Sequence, residues 1–145
     1  MPVKSFRGLI ADGAIDKIDL HTNNGSVGYK IVKFEMMPNQ PSKFRGEHII
    51  KIYKTPQTSA DVVVDFSDQT LLAAGVVTNQ TDANDAYSQN IIFDNEIFNQ
   101  DIFVTHFEDT SNKPCNYYIE LEQIKLDLAQ NTVATLKDIR NIEAQ

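Results

Sequence analysis

The sequence predicts a single mainly β domain over residues 1–145, built as an antiparallel β-sandwich or jelly roll. Short stretches rich in Val, Ile, Phe and Tyr alternate with breaks of Gly, Pro, Asn and Asp, which is typical of about eight antiparallel strands. The alternation of strand and helix that a parallel sheet needs is not visible. A chain of this length suits one hydrophobic core, since single domains usually hold roughly 100–200 residues.

The N-terminal region is predicted to begin with a β-hairpin. Its strands cover residues 5–10 and 14–20, and Asp12-Gly13 supplies the positive φ angles that a tight turn requires. The polar stretch 22–26 follows as a second turn, because its small side chains hydrogen-bond their own backbone.

A longer strand is predicted over residues 28–37. Strict alternation places Ile31 and Val32 on opposite faces, so that both faces carry apolar side chains, as in a strand packed inside a two-layer structure. Pro38 ends this strand because it cannot donate to a ladder, and residues 38–46 are predicted to be loop.

Three further strands are predicted in the middle of the chain, at residues 47–54, 61–66 and 71–78. The second is predicted from its β-branched residues. For the third, a strand is preferred to a short helical turn, because Gly75 and the valines after it suit a strand better. Residues 79–89 form the longest predicted polar loop.

The segment from Asn90 to Lys125 is the most aromatic part of the chain and is predicted to form the core of the fold. It is interpreted as a short strand followed by a long β-hairpin. Phe103 and Phe107 lie opposite Ile102 on the first long strand, which predicts cover on both faces, by a neighbouring subunit or by the C-terminal segment. The aromatic side chains proposed as an interaction surface are Phe98, Phe103, Phe107, Tyr117 and Tyr118.

Residues 127–144 fit two predictions. Apolar residues recur at helical spacing, and Asp127 can cap a helix, so that a C-terminal helix is preferred. The alternative is a strand over residues 132–139 that would extend the sheet.

Charge is unevenly distributed along the chain. Residues 1–60 carry nine Lys or Arg against five Asp or Glu, and residues 61–145 carry four against fifteen. No Lys or Arg lies between Lys54 and Lys113, so that this segment lacks the cations that bind phosphate, and we expect no nucleic-acid partner. The sequence also contains no apolar run long enough for a signal peptide or a transmembrane span, and we expect no membrane partner. The bipolar charge instead permits head-to-tail contacts between copies.

The cysteine and the histidines do not form a recognisable site in the sequence. Cys115 cannot form an internal disulfide and is interpreted as a small, partly buried side chain at the start of a strand, without a partner for a metal site. His21, His48 and His106 lie in separate predicted strands, without the spacing of a zinc site. We therefore expect no bound metal and no cofactor.

The carboxylates do not indicate a catalytic centre. Residues 82–85 begin like a calcium loop, but Tyr87 stands where glycine is expected and Phe93 where the final glutamate is expected. Glu120 and Glu122 share a strand face, as a glycosidase pair could, yet such pairs are common in acidic β proteins. We therefore expect no catalytic residue and no enzyme. A looser ion site remains an alternative, formed by Asp82, Asp85, Asp94, Glu96 and Asp101.

Several phrases of the sequence are similar to those of one group of proteins. The phrases are MPVKSFRG, GYKIVKF, VDFSDQTLLAA, IIFDNEIFNQDIFVTH, CNYYIELEQIKLDL and TVATLKDIR. In these the chain resembles small uncharacterised proteins encoded by tailed bacteriophages of marine bacteria. The resemblance covers most of the chain and includes no catalytic signature.

The resemblance implies a virion component, assembled in the host cytoplasm, such as a capsid decoration (cement) protein or a head or tail piece. Its partners would be copies of itself and the major capsid protein or another virion protein. The alternative function is a recognition module on a virion tail or capsid surface that binds a host glycan or receptor.

Overall fold

The computed structural model describes residues 2–23, 25–41, 43, 45–79, 88–93, 96–127 and 135–136. These residues form a mainly β domain, as predicted. The strands of the described part of the chain are β1 (Val3–Ile10), β2 (Ile15–Ile18), β3 (Val27–Pro38), β4 (Gly46–Tyr53), β5 (Leu71–Asn79), β6 (Ser88–Ile92), β7 (Ile102–Glu108) and β8 (Cys115–Lys125).

Two antiparallel sheets form a sandwich, which confirms the predicted fold class. One sheet has the order β1-β8-β3, and the other has the order β2-β7-β4-β5-β6. The pairs β1·β8, β2·β7 and β4·β5 are those of a jelly roll, in which the two halves of the chain run side by side as one long wound hairpin. β6 pairs with β5 instead of β3, but the Asn90 amide donates a hydrogen bond of 3.0 Å to the Phe34 carbonyl and connects the two sheets there.

The predicted N-terminal hairpin is wrong, although its turn is present. Gly13 has a φ of 77°, and the Ala14 amide donates to the Ala11 carbonyl over 3.1 Å. The turn leads from one sheet to the other, because β1 pairs with β8 and β2 pairs with β7. Local turn chemistry was therefore identified correctly, but the partner of each strand is distant in sequence.

The predicted hairpin between the two long aromatic strands is also wrong. β7 lies in the five-stranded sheet and β8 in the three-stranded sheet. The apolar faces of these strands meet across the core, where Val104 of β7 and Ile119 of β8 are completely buried. Burial of those faces stabilises the sandwich more than pairing the two strands in one sheet would, because a hairpin puts both apolar faces on the same side.

A β-bulge at Val32 changes the expected faces of β3. The register with β8 shifts between Ile31 and Lys33, so that Val32 is an extra residue. The bulge turns both Ile31 and Phe34 toward the core and leaves Val32 40% exposed. The prediction that β3 has two apolar faces is therefore wrong, because strict alternation does not hold across a bulge.

Residues 61–66 are not a strand, which corrects a further prediction. They belong to the connection between β4 and β5, and their valines are exposed. The strand predicted at 71–78 is confirmed as β5. Most of the predicted loop 79–89 and of the C-terminal segment 127–144 lies outside the described residues.

The core lies between the two sheets. Phe98, in the segment before β7, is completely buried and stacks on Tyr29 with ring centroids 6.3 Å apart. Backbone hydrogen bonds of 2.8 and 3.0 Å also join these two residues. No helix in the described part of the chain is long and apolar enough to cross a membrane.

Candidate functional site

The five aromatic residues proposed as an interaction surface do not lie together. Phe98 and Tyr117 are buried in the core, so they are not available for contact with a partner. Phe103 and Phe107 are half-buried on the outer face of the five-stranded sheet. Tyr118 is half-buried on the outer face of the other sheet, where its hydroxyl donates a hydrogen bond of 2.7 Å to Glu120.

An exposed apolar segment lies on the five-stranded side of the sandwich. We call residues 61–66 the valine ridge; its exposed side chains are Val62 (48%), Val63 (62%), Val64 (43%) and Phe66 (53%). Four consecutive or nearly consecutive large apolar side chains in contact with solvent form a patch, whereas isolated exposed apolar residues are ordinary. The ridge is therefore the strongest candidate for a binding surface among the described residues.

A buried lysine fixes the ridge to the sheet. Lys51 of β4 points to the outer face and is 3% exposed. Its ammonium group donates to the Asp61 carboxylate over 2.7 Å and to the Val63 carbonyl. The hydrogen bond from Lys51 lowers the pKa of Asp61, so that the carboxylate is charged at neutral pH and compensates the buried cation.

Aspartate side chains hold the turns at and after the ridge. The Asp65 carboxylate accepts hydrogen bonds from the Ser67 amide (2.9 Å) and hydroxyl (2.6 Å). Asp68 accepts the same pair of bonds from Thr70, at 2.9 and 2.6 Å. In these Asx-type turns the carboxylates bind backbone amides and hydroxyl groups two residues further along the chain. The apolar side chains of the ridge are left exposed to solvent.

A shallow groove runs beside the ridge. Phe66 packs edge-on against Phe93, with centroids 5.1 Å apart. The groove holds about 210 Å³ between the ridge and the edge formed by β5 and β6, and its other apolar lining includes Val64, Val76 and Ile91. Ridge and groove together present an apolar surface of both convex and concave shape.

A second feature, at one end of the core, is a cluster of His48, His106 and Cys115. These residues belong to β4, β7 and β8, and each is at most 1% exposed. His48 Nδ1 lies 3.0 Å from His106 Nε2, and the two rings stack with centroids 5.2 Å apart. One ring nitrogen of each histidine and the Cys115 sulfur all lie within 4.8 Å of one another. The structure thus contradicts the expectation that the histidines are unrelated and that Cys115 has no metal-ligating neighbour.

The surroundings of this cluster keep all three groups neutral. Burial lowers the pKa of both His48 and His106 and raises the pKa of the Cys115 thiol to about 12. The nearby Glu108 carboxylate, which is 2% exposed, accepts hydrogen bonds from the amides of residues 110–112. It caps the turn between β7 and β8.

The third histidine belongs to an exposed cluster with Asp101. The Asp101 carboxylate accepts hydrogen bonds from the Leu20 amide (2.8 Å), the His21 amide (3.0 Å) and the His21 ring (2.7 Å). It also forms an ion pair of 3.4 Å with Lys17. All of these partners stabilise the ionised carboxylate, which is therefore structural and ties the end of β2 to the start of β7.

Asp101 is expected to make stability fall in acid. Burial raises the pKa of Asp101, but the hydrogen bonds from His21 and Leu20 outweigh it and lower the pKa from 3.8 to about 2. A lowered pKa in the folded state stabilises the protein above the unfolded-state pKa, by about 2 kcal/mol here, and this contribution disappears as pH falls from about 4 to about 2.

Urea unfolding of Asp101→Asn and of the wild type at about pH 6 and about pH 2.5 measures this contribution. The variant is expected to be less stable by about 2 kcal/mol at the higher pH and by less than about 1 kcal/mol at the lower pH, where the folded-state carboxylate is still partly ionised. Asp19→Asn, at a carboxylate 73% exposed, is the control and should show little difference at either pH. An Asp101→Asn deficit that is unchanged in acid would contradict the assignment.

Several of the carboxylates considered for ion binding or catalysis have other partners or lie outside the described residues. Glu96 pairs with Lys54, and Glu120 accepts the Tyr118 hydroxyl. The remaining members of the predicted ion site, Asp82, Asp85 and Asp94, are not among the described residues.

The valine ridge was missed at the sequence level because DVVVDF has the composition of a buried strand. A signal for it exists in the spacing Asp65-x-Ser67 and Asp68-x-Thr70, which favours consecutive turns and not an extended ladder. The histidine–cysteine cluster had no local signal, because its members are brought together by the jelly-roll winding alone.

Comparison with known proteins assigns no family. No protein-family model matches the chain, and no curated protein matches it.

Proposed function

We propose that the protein is a structural virion component that self-associates through the valine ridge, in a decoration or cement role on a capsid lattice. The observation that carries this proposal is the exposed apolar surface of Val62, Val63, Val64 and Phe66, on a segment that hydrogen bonds attach to the sheet. A second copy of the chain is the primary partner, and the major capsid protein or another virion protein is the lattice to which the copies bind. The phage resemblance of the sequence and the jelly-roll fold, which occurs in viral capsid proteins, support the virion role.

The size of the apolar surface determines the strength of the contact. Completing the burial of four half-exposed apolar side chains is worth roughly 3–6 kcal/mol per copy. This gain is comparable to the free energy that two proteins lose in translational and rotational freedom when they associate. An isolated pair is therefore weakly bound. In a lattice the same contact is repeated at high local concentration, which makes the assembled form stable. A weak contact of this kind suits a protein that must remain unassembled until its particle is present.

The construction of the ridge lowers the cost of binding. Lys51 and the turns at Asp65 and Asp68 fix the ridge backbone before any partner arrives. A surface already in its bound conformation loses less entropy on association than a flexible loop does. Burial of the Lys51 ammonium group also costs desolvation free energy. This cost favours a role for the segment beyond linking β4 to β5.

Sedimentation velocity over a range of protein concentrations tests self-association. The wild type is expected to form concentration-dependent oligomers, and Val63→Asp is expected to weaken association at least tenfold, because it places a charge in the apolar contact. Val3→Asp is the matched control, since Val3 is 54% exposed on β1 of the opposite sheet. A wild type that is monomeric at every concentration, or equal effects of the two variants, would overturn the proposed interface.

The virion role has its own test, because an oligomer alone does not establish it. Quantitative mass spectrometry of purified particles from the host is expected to find the protein at high copy number. Its absence from particles, with self-association intact, would exclude the virion role while leaving the interface proposal standing.

A glycan-binding module is the second candidate, and one groove favours it. On the outer side of the three-stranded sheet, a groove of about 790 Å³ is lined by Arg7, Glu35, Asn116 and Tyr118, among others. Charged and amide groups can bond sugar hydroxyls, and an aromatic ring can stack on a sugar face. A polysaccharide array distinguishes the two candidate functions. Glycan binding that is lost in Tyr118→Ala, by a protein that does not self-associate, would favour recognition over assembly.

A further inference from the structure

The buried cluster of His48, His106 and Cys115 has the chemistry of a metal site. Two imidazoles and one thiol lie in the core, where apolar side chains would pack at no polar cost. Their donor atoms converge from three strands that are distant in sequence. Packing alone does not explain why three groups with metal-ligating atoms are buried side by side. A shared metal ion would explain it.

The hydrogen bonds of the two rings assign their tautomers, and the His106 Nε2 lone pair accepts the hydrogen bond of His48 Nδ1 over 3.0 Å. His106 Nδ1 lies 3.0 Å from the Ala11 carbonyl oxygen, which can only accept a hydrogen bond, so that the ring proton is assigned to Nδ1. His106 Nε2 is consequently unprotonated and faces His48. A metal-ligating histidine characteristically donates its other ring N–H to a backbone carbonyl in this way.

Binding of an ion would replace the hydrogen bond between His48 and His106, and would need a rotation of both rings as well as a movement of the Cys115 sulfur. Two nitrogens 3.0 Å apart subtend roughly 100° at an ion about 2.0 Å from each. The Cys115 sulfur has only long contacts of 3.5 Å, to the carbonyls of Met37 and Asn116, so that little is lost when it turns toward the rings.

We propose that His48, His106 and Cys115 bind a single copper(I) ion in a trigonal site. Soft thiolate together with imidazole selects copper(I) or zinc, and the number of ligands separates the two. Zinc bound by these three side chains would need a water as its fourth ligand, in a part of the core where each of them is at most 1% exposed. The nearest carboxylate, Glu108, is already bonded to the turn amides and is not available as a fourth.

Charge balance favours the same ion. On binding, the Cys115 thiol releases its proton to solvent and becomes a thiolate, while His48 moves its proton from Nδ1 to Nε2 and stays neutral. One copper(I) ion with one thiolate has no net charge, so that no uncompensated charge is buried in the core. Zinc in the same set would leave one positive charge in a dry core, which is costly.

Titration of the reduced protein with copper(I), in competition with a chromogenic copper(I) chelator, tests the proposal. We expect one ion per chain, a raised Tm, and an X-ray absorption spectrum with one sulfur and two nitrogen ligands. Because the ligands are buried, the titration is performed both on the folded protein and after refolding with the ion present.

Cys115→Ala and His106→Gln are expected to bind copper(I) at least about 100-fold more weakly, since even outer partners of metal ligands change affinity by 10–100-fold. Circular dichroism verifies that each variant is folded. His21→Gln is the control, because this exposed histidine lies in the other cluster and its loss should leave copper binding unchanged. Failure to compete with the chelator under either loading condition, binding unaffected by Cys115→Ala, or zinc binding tighter than copper(I) would each overturn the proposal.

Discussion

Phe98→Ala is expected to lower the free energy of unfolding by about 3–5 kcal/mol, measured by urea denaturation. Phe98 is completely buried and stacks on Tyr29, and its segment closes the edge of β3 through two backbone hydrogen bonds. Alanine would leave a cavity of nearly the whole ring, because two sheets held by ladders cannot collapse into it.

Phe103→Ala is the matched control for this change. The same atoms are removed, but Phe103 is half-buried on the outer face of the five-stranded sheet. We expect a loss of about 1–2 kcal/mol, since water can occupy the space that the ring leaves. Equal losses for the two variants would contradict the placement of Phe98 between the sheets.

Glu108→Ala is expected to cost about 3 kcal/mol, the second-largest effect. The Glu108 carboxylate accepts hydrogen bonds from the amides of Thr110 (2.9 Å), Ser111 (2.5 Å) and Asn112, whose φ is 57°. Removal leaves these donors without their charged acceptor in the connection that carries the chain from one sheet to the other.

Burial raises the pKa of Glu108, but the three amides lower it by more, so that its net shift is downward. The cost of Glu108→Ala should therefore be largest above about pH 4.5 and should shrink as the wild-type carboxylate is protonated in acid. Glu35→Ala, at an exposed glutamate of β3, is the control in urea denaturation and should cost less than about 0.5 kcal/mol. A Glu108→Ala loss no larger than this control would show that the amides find other acceptors.

Much of the fold could be predicted from the sequence, because strand composition and turn residues are local signals. The positions of β3, β4 and β5 follow from β-branched runs bounded by Pro38, Gly46 and polar breaks. Pairing is not a local signal. Asp12-Gly13 makes its turn as expected, yet the strands on either side lie in different sheets, since a turn fixes direction and not the partner of a strand.

The errors in face and exposure have similar physical causes. Val32 breaks the alternation of β3 through a bulge, which restores one apolar face where two were expected. The ridge has the apolar composition of a buried strand, and the Lys51 ammonium group that holds it on the outer face belongs to a different element, ten residues before Asp61. The ridge covers part of β4 through Lys51, whereas the cover expected over Phe103 and Phe107 of β7 stays a prediction.

The candidate sites were the least predictable part of the molecule. Among the predicted interaction residues, Phe98 and Tyr117 are in the core because aromatic density alone does not separate packing from recognition. His48, His106 and Cys115 had no motif, since a site assembled from three strands appears only when the winding of the chain is known.

Amide hydrogen exchange, measured by mass spectrometry at low and high protein concentration, tests the assembly surface most directly. Association through the valine ridge predicts slower exchange of residues 61–66, and of β6 beside the groove, at the concentration where oligomers form. Val63→Asp should abolish this protection. Oligomers that leave the exchange of residues 61–66 unchanged, with protection confined to β1 and β3 of the opposite sheet, would contradict the assignment of the ridge as the contact surface.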